Sequence, residues 1–537
     1  MTELLNAALV LAPIVVPLLA AGAGLLVRGR PGAAWVATAG AAGMLAAALA
    51  LAVTVTAATT ATATTQAGPV TALGGLLAAD ALSAFMLVVI GAVALIAALA
   101  TPGHLRVELA AGRIDATTRT RHLALVQLFL AAMALAVLAA GLGLLWVAVE
   151  LTTVVTAFLV GQGRGRRAAE AAWKYVIICS TGIALALLGT FLLNAAAERA
   201  GASLDWLSLT AAGPDLDPGV TRIAVVLLVL GFGTKAGLAP MHAWLPDAHS
   251  QAPAPVSALM SGVLISVAFY AVLRVKVVAD LALGPDFTRA LLIVLALASI
   301  ALAASLLIAQ RDYKRMLAYS SIENMALLAL GAAIGSPLAI AAVLLHILGH
   351  GLVKSGLFVA AGRILQLTGT SRIDHVRGLV AREPVLGWCF GLGILAIVAF
   401  PPFSLFASEL GIARAGFAAG LGWVTAAALL LVLVCAAALI GHTSRMLLGA
   451  PAATANGAPA TTADGAPSVP SAATPVASPG AESALVTAVP VRANRRLGAD
   501  RWVLIGALAA AAVVGITLGP LDTLLAQAAA IVAGSTP

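Results

Sequence analysis

Charge is what this chain has least of. Only 10% of its 537 residues are Asp, Glu, Lys or Arg, where a soluble domain carries about 25%. With 61% hydrophobic residues and a mean hydropathy of +1.06, that scarcity excludes a globular enzyme with a single anchor. It implies a polytopic membrane protein. Cysteine is far rarer still: Cys179, Cys389 and Cys435 each stand alone in an apolar run, with no CxxC and no histidine at ligand spacing. The pattern excludes an iron–sulfur cluster, haem or zinc site built by this chain. No basic n-region precedes the first apolar run, Leu4 to Val27, which is also too long for a signal h-region, so a retained first helix is expected. No strand precedes the run Gly231-x-Gly233-x-x-Ala236, which is therefore not a dinucleotide fingerprint. The net charge of +8 and pI of 9.9 follow from basic loops on one side of a membrane and need no nucleic acid.

What the chain does have is apolar runs of roughly 20 residues, the length that crosses a bilayer. They predict an all-α fold of about fourteen transmembrane helices, at 4–27, 34–57, 82–100, 123–140, 141–160, 172–194, 222–245, 254–279, 288–308, 314–334, 336–363, 386–411, 422–447 and 502–533. With the N-terminus placed outside, 22 of the 30 Lys and Arg residues fall on inner segments and six outside, Arg274 and Lys276 among the six. That bias puts both termini on the outer side of the plasma membrane. The Ala/Pro/Thr/Ser/Gly-rich stretch 450–497 reads as a disordered cytoplasmic linker that tethers the last helix.

Two spans carry helix breakers. GFGTKAGLAPMHAWLP sets glycines and Pro240 around Lys235, and AFPPFSLFASELG sets Pro401 and Pro402 before Glu409. Such breaks persist at membrane depth only where protein or water satisfies the backbone. They are five spans apart, which predicts two inverted five-helix repeats, 123–279 and 288–447, behind an N-terminal unit of three helices within 1–100 and ahead of the final helix 502–533.

The two lysines not counted above, Lys235 and Lys354, sit inside apolar spans, as do Glu150, Glu323, His346, His350 and Glu409. A charge in hydrocarbon costs several kcal/mol, so such groups are kept with a partner and a use. A row of acids, lysines and histidines is the composition of a proton path. Glu150 lies mid-span and is expected to pair with Lys235; the structural alternative is a neutral buried acid. Lys235 stands one turn from a break, and its alternative is to cap the freed carbonyls. His346, His350 and Lys354 recur at i, i+4 and i+8, on one helical face. Two such histidines could bind a metal, but no third ligand is evident and the lysine would repel a cation, so a proton-hopping ladder is expected. Glu409 follows the second break and would end the row, its alternative being an interfacial pair with Arg414. Glu323 is expected nearer the inner surface. His242 and Asp247 flank the inner end of the seventh span, as a site of proton uptake or a polar cap.

The runs GTKAGLAPMHAWLPDAHSQAPAPVSALMSGVLI, RDYKRMLAYSSIENM, HILGHGLVKSGLF and FPPFSLFASE resemble the antiporter-like subunits of complex I and its relatives, over about residues 70–445. The stretches APAPVSALMSGVLI and YSSIENM are most similar to component F of hydrogenase-4 type, membrane-bound group 4 NiFe-hydrogenases. The resemblance implies fourteen helices with two inverted repeats, an acid–lysine pair Glu150–Lys235, a central Lys354 reached through His346 and His350, and an outward step at Glu409. It also implies partner subunits that carry iron–sulfur clusters and NiFe or flavin, with none in this chain. One departure is that the span after Val256 has Ser261, Ser266 and Tyr270 where many relatives have histidine or lysine, so a path from Lys235 to Lys354 would depend on water and hydroxyls. The expected function is a proton-translocating subunit of a redox-driven complex. The rival readings are a cation/proton antiporter subunit moving protons or sodium, an energy-coupling subunit for inorganic carbon uptake, and a non-pumping scaffold.

Overall fold

A computed structural model describes residues 2–28, 30, 32–61, 68–163, 165–449 and 500–534; the expected linker at 450–497 lies outside the described residues. The helices in chain order are α1 Thr2–Leu26, α2 Ala33–Ala61, α3 Ala81–Ala110, α4 Ala116–Leu138, α5 Leu142–Val160, α6 Arg166–Arg199, the short α7 Trp206–Ala211, α8 Pro218–Ala236, α9 Trp244–Gln251, α10 Ala254–Leu259 and α11 Ile265–Leu283. They continue with α12 Pro285–Ile308, α13 Tyr313–Ile334, α14 Pro337–Thr368, the short α15 Leu379–Arg382, α16 Pro384–Ile397, α17 Ser404–Ala418, α18 Gly422–Leu448, α19 Asp500–Ile516 and α20 Leu521–Ala533. A small antiparallel hairpin, β1 Val70–Ala72 and β2 Leu77–Ala79, precedes α3.

Among the described residues twelve helices are long and apolar enough to cross a membrane, and the pair α19–α20, bent by 71°, makes up to thirteen. The expected 386–411 span is two helices, α16 and α17, each shorter than a crossing. The expected 222–245 span ends early: α8 stops at Ala236, where Gly237 takes φ +84°, a left-handed conformation that glycine adopts without strain. A one-turn π-helix, Met260–Leu264, joins α10 to α11, a local widening that recurs at functional sites.

Polar side chains start the helices. Asp80, Asp217 and Asp312 each accept a hydrogen bond from a backbone N–H of the first turn, satisfying donors that a helix leaves open. Burial then sorts the bundle. The windows on α13 and on α10–α11 are fully buried and those on α3 and α14 are 83% buried, against 17% on α1 and 28% on α18. The helices that carry Glu323, His346, His350 and Lys354 thus form its centre. Gly515 of α19 lies flush on the second break, where a Cβ would fall on the Pro402 carbonyl.

The charged residues pair at the two ends of the bundle. Residues expected inside meet one another, as in Asp247 with Lys174 and Arg315, and Glu108 with Arg113 and Gln366. Residues expected outside meet at the other end. There the two charges counted as outer-segment cations prove to be buried and paired. Arg274 grips both oxygens of Asp80, at 2.6 and 2.7 Å, and also donates to Ser83 Oγ and Tyr270 OH, each at 3.0 Å. Tyr270 OH in turn donates to the Val137 carbonyl at 2.9 Å, so one guanidinium ties α3, α4 and α11. Tyr270 therefore belongs to this clasp and not to a path between the lysines. Burial pushes the Asp80 carboxyl up, but the Arg274 charge and the hydrogen bonds from Arg274 and Ser83 together outweigh it and hold Asp80 below the usual aspartate value. Lys276 pairs with Asp280, which also accepts from Thr288.

Breaking a buried pair from one side strands a charge and costs on the order of 3 kcal/mol, more than removing both partners. Asp80→Ala is therefore expected to lower unfolding stability of the solubilised protein more than the double change Asp80→Ala with Arg274→Leu. Equal losses in denaturant titrations would show that the clasp carries no such constraint.

Candidate functional site

The first break places Lys235 at the C-terminal end of α8, fully buried. The break satisfies its own backbone: Gly237 N–H donates to Thr234 O at 3.1 Å, Leu238 N–H to Gly233 O at 2.9 Å, and Trp244 Nε1 to Thr234 O at 2.9 Å. The lysine is thus not needed as a cap. Its ammonium reaches two hydroxyls instead, Thr153 Oγ1 of α5 at 2.8 Å and Tyr175 OH of α6 at 2.5 Å. Trp244 packs edge-on against the Tyr175 ring, centroids 5.1 Å apart, so the break also fixes the tyrosine.

Glu150 does not pair directly with Lys235, and this corrects the expectation. It sits one turn before Thr153 on α5, close enough to act electrostatically on the ammonium, but the hydroxyls occupy the position. Its Oε1 accepts a long hydrogen bond from Ser180 Oγ at 3.4 Å, and its buried Oε2 has no protein partner. Cys179, one turn from Tyr175 on α6, is buried and free, as are Cys389 and Cys435.

The second centre surrounds Lys354 of α14, also fully buried. Its ammonium donates to Leu317 O at 2.6 Å and Ser320 Oγ at 2.5 Å, both on α13. Asn324, one turn further along α13, donates through Nδ2 to Ser320 O at 2.7 Å and to Glu323 Oε2 at 2.6 Å. Two acceptors on Nδ2 fix the amide, so Oδ1 faces His346 Nε2 at 3.0 Å and requires a proton on that nitrogen. His346 Nδ1 meets Ser408 Oγ of α17 at 2.9 Å. A hydrogen-bonded line therefore runs from Asn324 through His346 to the segment that follows the second break. It starts beside Lys354 without joining it, because the lysine holds the Ser320 hydroxyl, which donates to Leu317 O, while Asn324 holds the Ser320 carbonyl. Glu409 is next to Ser408, within Coulombic reach of Glu323, and its buried Oε1 has no protein partner. Among the described residues no ion pair joins Glu409 to Arg414.

The histidine ladder is thus only half connected. His350 is buried and stacks on His346, centroids 6.4 Å apart and 14° between planes, yet neither of its ring nitrogens has a protein partner. The i, i+4 spacing aligns the rings without bonding them, because neighbouring side chains on one helix face project side by side. Glu323 is 3% exposed and central rather than near the inner surface, since all of α13 is wrapped by neighbours. Asp247 is bound by Arg315 at 2.7 Å and Lys174 at 3.1 Å, an ionic tie between α9, α13 and α6. His242 lies in the loop before α9, its Nδ1 buried without a partner.

Sequence reasoning missed Thr153, Tyr175, Ser320, Asn324 and Ser408, the neutral groups that hold the charged ones; polar residues at helical spacing from each lysine and histidine were the available signal. It also missed His249 on α9. That ring is buried, stacks on Phe358 at 4.7 Å, lies within Coulombic reach of Lys354, and has no protein partner on either nitrogen. Between the halves, Ser261 Oγ in the π-turn meets Ser321 Oγ of α13 at 2.7 Å, while Ser266 Oγ is buried and unpartnered.

The sequence profile of the NADH:quinone oxidoreductase/Mrp antiporter transmembrane family matches residues 139–435, which hold both lysine centres. A hydrogenase-4 component F homolog from Methylacidiphilum infernorum is 39% identical over 60% of this chain and 68% of its own length. NADH-quinone oxidoreductase subunit N from Desulforudis audaxviator is 38% identical over 53% of this chain and 56% of its own. A chain in the structure of the Mrp complex from Dietzia sp. DQ12-45-1b shares the fold, with a TM-score of 0.79 at 23% identity over 98% of this chain and 97% of that one.

Because hydroxyls hold the Lys235 ammonium, removing one of them is expected to be more damaging than neutralising the acid. Tyr175→Phe leaves a buried charge short of an acceptor, a loss of about 1–3 kcal/mol, and chemical denaturation of the solubilised protein should show it exceeding the loss from Glu150→Gln. The reverse order would mean that Glu150 is the principal partner.

Proposed function

The chain belongs to the NADH:quinone oxidoreductase/Mrp antiporter transmembrane family, and on that premise we propose that it is the proton-translocating membrane subunit of a redox-driven complex of the hydrogenase-4 or NADH:quinone oxidoreductase kind. The observation that carries the reading is the state of the two buried lysines: each rests on neutral oxygens, with a carboxylate held close but apart. An ammonium so placed is poised. Desolvation works against its charge, the hydroxyls offset part of that, and a carboxylate brought into contact would offset more. Moving the carboxylate changes whether the lysine keeps its proton.

The cycle follows from that balance. In the resting arrangement Lys235 sits on Thr153 and Tyr175 while Glu150 stands near Ser180. A charge displacement relayed from a neighbouring subunit draws Glu150 toward Lys235 or away from it. When Glu150 withdraws, Lys235 gives its proton toward Lys354, across the interface where Ser261 meets Ser321 and His249 lies within Coulombic reach of Lys354. Lys354 then gives its proton toward His346, and Glu409 helps release it outward. Redox cofactors, iron–sulfur clusters with NiFe or flavin, belong to partner subunits in this reading. The units 123–279 and 288–447 act as two successive half-channels, and both termini face the outer side of the plasma membrane.

The fold shared with a chain of the Mrp complex supports a second reading, a cation/proton antiporter subunit without redox partners. The experiment that separates the two is proton uptake and electron transfer in the reconstituted complex. Lys235→Ala and Lys354→Ala are each expected to lower the proton-to-electron ratio; an unchanged ratio in both would refute translocation through this chain. Sodium-dependent proton exchange that persists without any electron donor would select the antiporter.

A further inference from the structure

One buried cluster of titratable side chains has no place in the cycle above. It lies at the basic end of the bundle and starts on α3, where His104 and Glu108 stand one turn apart. Gln366, near the end of α14, joins them: its Nε2 reaches Glu108 Oε1 at 2.8 Å, His104 Nδ1 at 3.1 Å and His104 O at 3.3 Å. Glu108 also accepts from Arg113, at 2.6 and 3.0 Å. The cluster opens to solvent there, with the Glu108 side chain 17% exposed and that of Arg113 51% exposed.

From this mouth the polar groups run inward. His104 is within Coulombic reach of Lys314, which is 2% exposed and donates to Ser250 O and Ala252 O, each at 3.0 Å. Those carbonyls close α9, the helix of His249. His249 is within Coulombic reach of both Lys314 and Lys354, and it stacks on Phe358, one turn from Lys354 on α14. A second histidine, His122 of α4, is within reach of His104; its Nδ1 meets Gln162 Oε1 at 2.9 Å, and its buried Nε2 has no protein partner.

A latch between α3 and α14 would need only Gln366 and hydrogen-bonding partners for it. It would not need imidazoles with orphaned nitrogens, since buried polar atoms in a static core are normally satisfied. Imidazoles placed between a partly exposed carboxylate and a buried lysine are what proton uptake requires, because the ring both accepts and donates near neutral pH. His104 Nδ1 accepts from Gln366, which leaves Nε2 to load and unload. The two mouth residues lie on α3, outside the residues matched by the family profile.

We propose that Glu108 and His104 collect protons at the basic end and feed them through His249 to Lys354. The route rests on Lys354 being a proton carrier, as read above. Each step moves one proton: the Glu108 carboxylate takes it from solvent, His104 accepts it at Nε2, water carries it past Lys314 to His249, and His249 gives it to the neutral Lys354 amine, with Lys314 biasing the line electrostatically.

The test uses the intact complex in liposomes and compares His104→Ala, His104→Gln and Lys354→Ala. Gln keeps a hydrogen-bonding side chain at 104 but cannot carry a proton. Both position-104 changes should slow the initial rate of proton translocation roughly tenfold at wild-type levels of assembled complex. Added imidazole should restore His104→Ala but not Lys354→Ala. A wild-type rate in His104→Gln, or a slow His104→Ala that imidazole leaves slow, overturns the route. If His104→Ala does not assemble, Glu108→Gln carries the test: about tenfold slowing supports the route and a wild-type rate overturns it. Undiminished translocation in Lys354→Ala would instead overturn the reading on which the route rests.

Discussion

An ammonium buried among apolar helices must find oxygen atoms, and the architecture of this protein answers to that requirement. Lys235 draws a hydroxyl from α5 and another from α6; Lys354 draws a hydroxyl and a carbonyl from α13. Each lysine thereby dictates which helices stand next to its own and at what depth. The break after α8 serves the same end. It stops the helix at Ala236, satisfies the freed carbonyls with Gly237, Leu238 and Trp244, and uses the Trp244 ring to hold Tyr175 against the lysine.

The two centres solve the problem in related ways. On α5 the receiving hydroxyl, Thr153, lies three residues after Glu150; on α13 the receiving hydroxyl, Ser320, lies three residues before Glu323. In both, acid and hydroxyl are one turn apart, so the lysine sits on the neutral group with the charged one within reach. The centres differ in what lies beyond. Beside Lys354, Asn324 and His346 carry hydrogen bonds on to Ser408, whereas Glu150 ends in a single long contact with Ser180. The first centre has room to change partners, and the second is flanked by a network that reaches the second break.

The all-helical membrane class and most of the long helices were legible in the sequence, while the 386–411 span proved to be two short helices. Apolar run length located the helices, and proline and glycine located both breaks. The mid-span rarity of charge singled out Glu150, Lys235 and Lys354, because hydrocarbon makes such residues conspicuous. Contact was not legible. Helical spacing aligned His346 with His350 but could not show that His346 bonds Asn324 and Ser408 instead, since those partners come from other helices. Arg274 looked like a loop charge because its acid, Asp80, is an ordinary residue until the fold brings it to the same end, whereas the Lys276–Asp280 pair was readable from its i, i+4 spacing. His249 sat in a motif whose prolines and glycines drew notice first.

The central claim is that Glu150 changes partner or protonation as the machine turns over. Infrared difference spectroscopy of the complex, resting against turnover, reads this directly in the carboxyl region. The account predicts a turnover-induced carboxyl band that Glu150→Gln abolishes. A difference spectrum with the same carboxyl bands in the wild type and in Glu150→Gln would contradict it.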